Sequence, residues 1–185
     1  MQILGRAEGK SKGGAGQEMT ANMNILAIDP GNELTGYCVI DARTYRPLRF
    51  GKIPNDQMLG VILDEIMSGA SEVVIERIAS YGKAVGQTVH DTSWWSGRFY
   101  QAASTWAKKV TMLFRREVKL NLCYIASAKD TNIIQALIDR FDPYASNHGK
   151  GTKKEPGWFY GFKADVWQAY AVGVTYLDQR GGGKK

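Results

Sequence analysis

The sequence predicts one mixed α/β domain in which helices cover both faces of a central sheet. Its length of 185 residues suits a single hydrophobic core. Residues 24–29 are apolar on both faces of an extended chain, which is typical of a central strand, and Pro30 and Gly31 end that strand. Short links join two further strands, at 35–41 and 46–53, and short links favour antiparallel pairing.

Strands and helices then alternate along the chain. Asp56 can cap a helix, and residues 72–77 form a strand that can lie parallel to the first one. One long helix is predicted over 93–116, because apolar residues recur at helical spacing at Trp95, Phe99, Ala102, Trp106, Val110 and Leu113. A strand and two helices complete the domain, at 119–125, 130–141 and 163–178. With the last two helices counted as one helical region, the order is βββαβαβα.

The net charge of +6 is weak evidence for nucleic-acid binding, because most of the excess lies near the ends of the chain. Residues 1–22 carry +1 and residues 180–185 carry +3, which leaves +2 on residues 23–179. We predict that 1–22 is a flexible Gly- and Lys-rich extension, that 23–179 is the folded domain, and that 180–185 is a flexible basic tail.

The cysteines and the N-terminal residues indicate the compartment. Cys38 and Cys123 lie in apolar runs, where buried, reduced thiols are expected. Residues 1–22 contain no apolar stretch long enough for a signal peptide. We therefore expect a cytoplasmic protein that does not associate with membranes.

Three acids stand next to apolar segments, where acids are uncommon. Asp29 ends the first central strand, Glu76 ends the strand predicted beside it, and Asp165 lies in the first turn of the last predicted helix. Such charges are costly unless they are paired or bind a cation, and the ends of neighbouring strands meet at one edge of a sheet. Oxygen ligands without a partnering Cys or His favour Mg²⁺ or Mn²⁺, whereas His90 and His148 have no companion ligand at useful spacing.

Each of these acids also has an ordinary structural explanation. Asp29 can set the turn that follows it, Glu76 can form a surface ion pair, and Asp165 can interact with the helix dipole. Their joint position at two strand ends and at the start of the closing helix favours a metal cluster. Five other acids lack such a position and are predicted to be solvated: Asp64, Glu65, Glu72, Glu117 and Asp139.

A long segment between the last two helices has two possible explanations. Residues 142–161 are rich in Gly and Pro, and a loop of this length is often functional. It carries three lysines that can contact DNA, Lys150, Lys153 and Lys154. Trp158, Phe159 and Tyr160 suggest that its end is anchored. The alternative is an ordinary mobile surface loop.

Three motifs together resemble those of the RuvC-type Holliday-junction resolvases. They are ILAIDPGNELTG at 25–36, VVIERI at 73–78 and KADVWQAYAVGVTY at 163–176. Phage-encoded members look most similar, on the stretch at 80–82 and on GWFYG at 157–161. The resemblance implies a ribonuclease H-like fold and assigns Asp29, Glu76 and Asp165 to the catalytic metal site. The family commonly has a further acid where this chain has Gln168, which leaves the binding of a second metal ion open.

The resemblance also implies an activity. One or two Mg²⁺ ions per subunit, or Mn²⁺ in their place, would activate water and stabilise the leaving 3′ oxygen, which yields a 5′-phosphate and a 3′-hydroxyl. The expected partner is branched DNA, bound by a homodimer whose interface we place on the predicted helix at 93–116, with Trp94, Trp95 and Phe99. Tyr81 is the candidate wedge between bases, and Lys83 and Lys129 are candidates for phosphate contacts. Two alternatives remain: a catalytically silent junction-binding protein, and a ribonuclease H-like nuclease with another substrate.

Overall fold

The fold is a five-stranded mixed sheet with helices on both faces, as the sequence predicts. The computed structural model describes residues 23–80, 82, 84–144 and 146–181. The extension at 1–22, Tyr81 and Lys83 lie outside these ranges. The strands are β1 Asn24–Asp29, β2 Leu34–Asp41, β3 Pro47–Pro54, β4 Ala70–Arg77 and β5 Lys109–Phe114. Their order is β3-β2-β1-β4-β5, with β1, β2 and β3 antiparallel and β1, β4 and β5 parallel.

The described residues form six helical segments. They are α1 Asn55–Met67, α2 Gln87–Ser104, α3 Arg115–Cys123, α4 Asp130–Phe141, the short α5 Ser146–Gly149 and α6 Val166–Gly181. Helices α1 and α2 cover one face of the sheet, and α3, α4 and α6 cover the other. In the described part of the chain, no helix has the length and apolar character needed to cross a membrane.

The alternation of side chains in β1 explains why the central strand is apolar throughout. Leu26 and Ile28 pack towards α1 and α2, whereas Ile25 and Ala27 pack towards α6. Helix α6 lies very close to the sheet at Gly173, where a Cβ atom would come within 2.3 Å of the Cδ1 atom of Ile40. A Cβ there would also lie 3.0 Å from the Cβ of Ala27, so glycine favours the close approach of the helix.

The prediction for residues 93–125 is wrong in its two elements. Helix α2 begins at Gln87 and ends at Ser104, and the rest of the predicted helix contains β5. The residues predicted as the fifth strand, 119–125, fall mostly in α3, which buries Val118 and Leu122 one helical turn apart. The number of strands and the fold class are still correct, because β5 supplies the fifth strand, beside β4.

Several smaller predictions also need correction. Asp56 lies inside the first turn of α1 and does not cap it. Phe99 is fully buried in the core, so it is not available to a dimer interface. Two acids predicted to be solvated are shielded by partners: Glu65 pairs with Arg49, and Glu72 accepts hydrogen bonds from Tyr176 and Arg180. The domain boundary that we predicted after residue 179 falls inside α6.

The described part of the segment at 142–161 is held down by hydrogen bonds and aromatic packing. The carboxylate of Asp142 accepts a hydrogen bond from the backbone N–H of Trp158, at 2.7 Å. Phe159 is fully buried against Phe162 and Trp167. Anchoring of its end by aromatic residues is therefore confirmed, and Lys153 and Lys154 are exposed near its tip.

Candidate active site

The candidate site begins as a row of four residues across the sheet, on the face covered by α6. Gly36 of β2 pairs with Lys52 of β3 on one side and with Asp29 of β1 on the other. Ile28 pairs with Ile75 across the parallel strands, so the next residues, Asp29 and Glu76, stand side by side. Ala27 and Val74, two residues earlier, face α6, and the two-residue period of a strand places Asp29 and Glu76 on that face as well.

Asp165 reaches this row from the start of α6. Its backbone carbonyl accepts the hydrogen bonds from the N–H groups of Gln168 and Ala169, so Asp165 occupies the N-cap position of α6. A Cβ atom on Gly36 would lie 2.6 Å from that carbonyl oxygen and 2.9 Å from the Cβ of Asp165. Ala164, directly before it, has a φ of 37°, in the left-handed region that non-glycine residues rarely adopt. Asp165 is thus pressed onto the sheet beside Asp29.

Asp29 is the acid without a compensating partner. Within the described residues, its carboxylate makes no hydrogen bond and no ion pair. Burial raises its pKa well above the ordinary value, and the negative charges of Glu76 and Asp165 raise it further, against a smaller opposing effect of Arg115. An ionised carboxylate in this position is therefore a strong candidate for binding a cation.

Glu76 has a partner, Arg115, which follows β5. The Nη1 atom of Arg115 lies 2.9 Å from the Oε2 atom of Glu76. Its Nη2 atom donates to Asp130, at 2.6 Å, and to the side-chain oxygen of Gln168. Burial raises the pKa of Glu76, and Arg115 counteracts this effect. Burial disfavours the Arg115 cation, but Glu76, Asp130 and Asp29 outweigh that effect and raise the pKa of its guanidinium.

Asp165 also has a cationic neighbour. Lys52, the outermost residue of the row, places its Nζ atom 2.6 Å from the Oδ2 atom of Asp165. As the described side chains stand, no three of the Asp, Glu, His and Cys residues are grouped closely enough to hold a metal ion. The donor set still fits a hard cation, because Asp29 is half-buried without a partner among the described residues and the neighbouring acids supply only oxygen ligands.

The predicted DNA-contacting residues are only partly described. Lys129 is exposed directly before Asp130, at the start of α4. Lys150 lines a surface pocket together with Tyr160 and Lys163, two residues before Asp165. Tyr81 and Lys83, the candidates nearest to Glu76 in sequence, lie outside the described residues.

Sequence reasoning missed three residues of the site. Arg115 was hidden inside a predicted helix, Asp130 was assigned no role, and Lys52 was one residue of an edge strand. The signal for Arg115 is its position directly after β5, which lies parallel to β4, since a charged residue at the carboxyl end of a parallel strand is informative for the same reason as Glu76. Nothing local in the sequence distinguishes Lys52 or Asp130 from other surface charges.

Comparison with known proteins supports the fold. No family model matches this sequence, and no curated protein matches it. Among solved structures, Thermus thermophilus RuvC is similar at 18% identity and a TM-score of 0.60, over 86% of this chain and 97% of that chain. T. thermophilus RuvC in complex with a Holliday junction substrate is similar at 18% identity and a TM-score of 0.55, over 86% and 96%.

The yeast mitochondrial Holliday junction resolvase Ydc2 is similar at 10% identity and a TM-score of 0.51, over 89% of this chain and 82% of that chain. These likenesses extend over most of each chain, so they concern the whole domain and not one motif. The structural neighbours of this chain are Holliday junction resolvases, and it has the mixed α/β fold of the RuvC-type enzymes.

Proposed function

We propose that this protein is a metal-dependent, structure-selective endodeoxyribonuclease. It resolves four-way and other branched DNA junctions by paired nicks that leave a 5′-phosphate and a 3′-hydroxyl. The observation that supports this most directly is that Asp29 and Glu76 stand side by side on the face of the sheet against which the start of α6, with Asp165, packs, in a fold shared with junction-resolving nucleases. Asp29 is half-buried, and its carboxylate has no partner among the described residues, so it is the acid best placed to bind a cation.

The acids of the site would hold Mg²⁺, or Mn²⁺ in its place. When bound, such an ion supplies Lewis-acid chemistry that activates water and stabilises charge on the phosphate. Asp29, Glu76 and Asp165 bind the ion, and the oxygen of Gln168 is available only if it leaves Arg115. Lys52 and Arg115 place two positive charges beside these acids, where they can hold a DNA phosphate in position.

Branched DNA is the proposed partner, since one of the structural neighbours is a complex with a Holliday junction substrate. Lys129 is exposed directly before Asp130, and Lys150 is half-buried in a pocket that is also lined by Lys163, two residues before Asp165. We assign these two lysines, with Lys153 and Lys154 at the tip of the 142–161 segment, to the DNA backbone. Tyr81 and Lys83 keep their proposed roles as wedge and phosphate contact.

A homodimer is proposed because a four-way junction has two equivalent strands to cleave. The α2 region offers an apolar surface: Trp94 and Trp106 are 59% and 60% exposed, and Trp95 is half-buried beside Phe99. Large exposed aromatic residues are typical of interface centres. Sedimentation analysis should show a dimer that Trp94→Arg weakens at least tenfold; a wild-type monomer at all concentrations would contradict the dimer.

A specific observation also favours a second candidate, a junction-binding protein without cleavage activity. Glu76 and Asp165 are each ion-paired with a cationic side chain, and Gln168 supplies no charge. If these pairs persist when DNA is bound, two of the three acids are not free to hold a metal ion. This candidate predicts tight junction binding that is insensitive to Mg²⁺.

One experiment separates the candidates. The protein is incubated with four-way, Y-shaped, nicked and linear DNA and with an RNA–DNA hybrid, in Mg²⁺, Mn²⁺ or EDTA. We expect paired nicks near the junction centre that EDTA abolishes. Asp29→Asn should lose cleavage and keep binding, whereas the control Asp64→Asn, an exposed acid on α1, should change neither.

The outcomes are distinct. Cleavage by Asp29→Asn at the wild-type rate would show that the site is assigned wrongly. Binding of junctions without cleavage in either metal would favour the silent junction-binding protein. Preferential cleavage of the RNA–DNA hybrid would favour a ribonuclease H-like enzyme with another substrate.

A further inference from the structure

Arg115 is the most densely coordinated cation in the described part of the site. Its guanidinium donates to acceptors from three elements: Glu76 of β4, Asp130 of α4 and Gln168 of α6. Only 21% of its side chain is exposed. An arginine that is held by several acceptors and largely removed from water is difficult to displace, because its charge cannot be lost by deprotonation.

The position of Arg115 bears on how many metal ions the site can hold. In the RuvC-type family, the position of Gln168 commonly carries a further acid, which would help to hold a second metal ion. Arg115 joins Gln168 to Glu76 on this side of the site. Arg115 donates to one carboxylate oxygen of Glu76, Oε2, and to the side-chain oxygen of Gln168. Asp130, which sequence analysis did not select, holds the same guanidinium and supplies a negative charge next to the neutral Gln168.

The charges of the site favour a single divalent ion. Among the described residues, the site contains four carboxylates, from Asp29, Glu76, Asp130 and Asp165, and two cations, Lys52 and Arg115, that are ion-paired with the last three of these acids. When all of these groups are ionised, the site carries a net charge of −2. One divalent ion neutralises this charge, whereas a second would leave an excess of +2 in a partly buried site, which is unfavourable.

We propose that Arg115 is a resident cation that takes the place of a second metal ion, so that each chain binds one divalent ion, at Asp29 and its neighbours. Asp130 is a positioning residue that holds Arg115 against Glu76 and Gln168. This inference rests on the proposed metal-dependent function and specifies the metal requirement of that same site.

Two possible roles of Gln168 lead to different numbers of bound metal ions. If Gln168 only marks a missing ligand, an acid at that position creates the second metal site by itself. If Arg115 occupies the place, the isosteric change Gln168→Glu strengthens the pair with Arg115 and adds no ion. A second ion then binds only when Arg115 is removed as well.

The experiment counts bound ions. Metal-free protein is titrated with Mn²⁺, and the free ion is measured by electron paramagnetic resonance, without DNA and without an activity assay. We expect one ion per chain for the wild type and for Gln168→Glu, and two for Arg115→Gln/Gln168→Glu. The control is Arg49→Gln, which breaks another arginine–glutamate pair on the opposite face of the sheet and should keep one ion.

Each outcome decides between the possibilities. Two ions on the wild type or on Gln168→Glu would refute the role of Arg115 and leave the nuclease proposal intact. One ion on the folded double variant would also refute it. If the double variant does not fold, the Gln168→Glu arm decides alone. No bound ion on the wild type would overturn the metal-dependent function itself, and this inference with it.

Discussion

Replacing Asp29 by Asn should stabilise the metal-free protein at neutral and alkaline pH. In the structure, the Asp29 carboxylate is half-buried beside Glu76 and Asp165 without a compensating partner among the described residues, so folding raises its pKa. The folded protein therefore holds the Asp29 proton more tightly than the unfolded chain does. Stability is highest below the unfolded pKa, about 3.9, and falls as pH rises towards the raised pKa of the folded protein.

The size of the effect follows from proton linkage. Within that pH interval, each pH unit removes about 1.4 kcal/mol from the free energy of unfolding. For a domain of this size, that corresponds to a melting temperature lower by about 3–6 °C per pH unit. Asn has no proton to lose, so Asp29→Asn should melt above the wild type at pH 8 in EDTA, and the difference should shrink as the pH approaches 4.

Thermal melts from pH 4 to pH 8 test this prediction. The control is Asp165→Asn, because Asp165 is more exposed and is paired with Lys52, so its loss should change stability by no more than about 1 kcal/mol. A metal ion at 100 times its dissociation constant adds about 2.7 kcal/mol to the wild type. Saturating Mg²⁺ should therefore reduce or reverse the difference in melting temperature between Asp29→Asn and the wild type. An Asp29→Asn protein that melts at or below the wild type at pH 8 in EDTA would refute the reasoning.

Two further substitutions test the scaffold of the site. Gly36→Ala places a Cβ atom 2.6 Å from the carbonyl oxygen of Asp165, so it should displace that residue and weaken Mn²⁺ binding by about tenfold or more in an otherwise folded protein; unchanged binding would contradict the close packing. Tyr170→Phe removes the hydroxyl that donates to the Tyr45 carbonyl and accepts from Trp158, and urea unfolding should show a loss of about 1–3 kcal/mol; no loss would mean that these groups find other partners.

Gly60→Ala is the matched control for Gly36→Ala. Gly60 lies exposed inside α1, and no atom lies within 4 Å of the Cβ that it would gain. Alanine should stabilise the helix there by about 1 kcal/mol and leave Mn²⁺ binding unchanged. Weaker Mn²⁺ binding by Gly36→Ala, together with higher stability and unchanged binding for Gly60→Ala, would separate the effect of close packing from that of helix propensity.

The strands that sequence reasoning predicted correctly are set by local patterns, and so is the position of Asp29 at the end of one of them. Strands β1 to β4 lie within two residues of their predicted bounds, and α4 has the bounds predicted for it. In β1, an apolar run on both faces stops at Asp29, and the two-residue period alone places Asp29 on the same face as Ala27. Such information does not depend on the remainder of the chain.

Residues 105–125 show why local patterns are insufficient elsewhere. Trp106, Val110 and Leu113 fit a helical spacing, although Lys109–Phe114 is also an apolar, partly β-branched run that can extend as a strand. The open edge of β4 decides in favour of the strand, because Val73 and Val74 pair with Val110 and Thr111. Pairing with a distant strand provides backbone hydrogen bonds that no local pattern records.

The fold class and the position of three acids at strand and helix ends can be inferred from local patterns, because strand period, turn residues and the cost of buried charge act over a few residues. The surroundings of those acids depend on the packing of distant segments. Arg115 meets Glu76 across 39 residues and Gln168 across 53, because β5 pairs with β4 and α6 packs against the same part of the sheet. Charge neutralisation in a buried site depends on such distances in space, and the separation of residues along the chain does not reveal them.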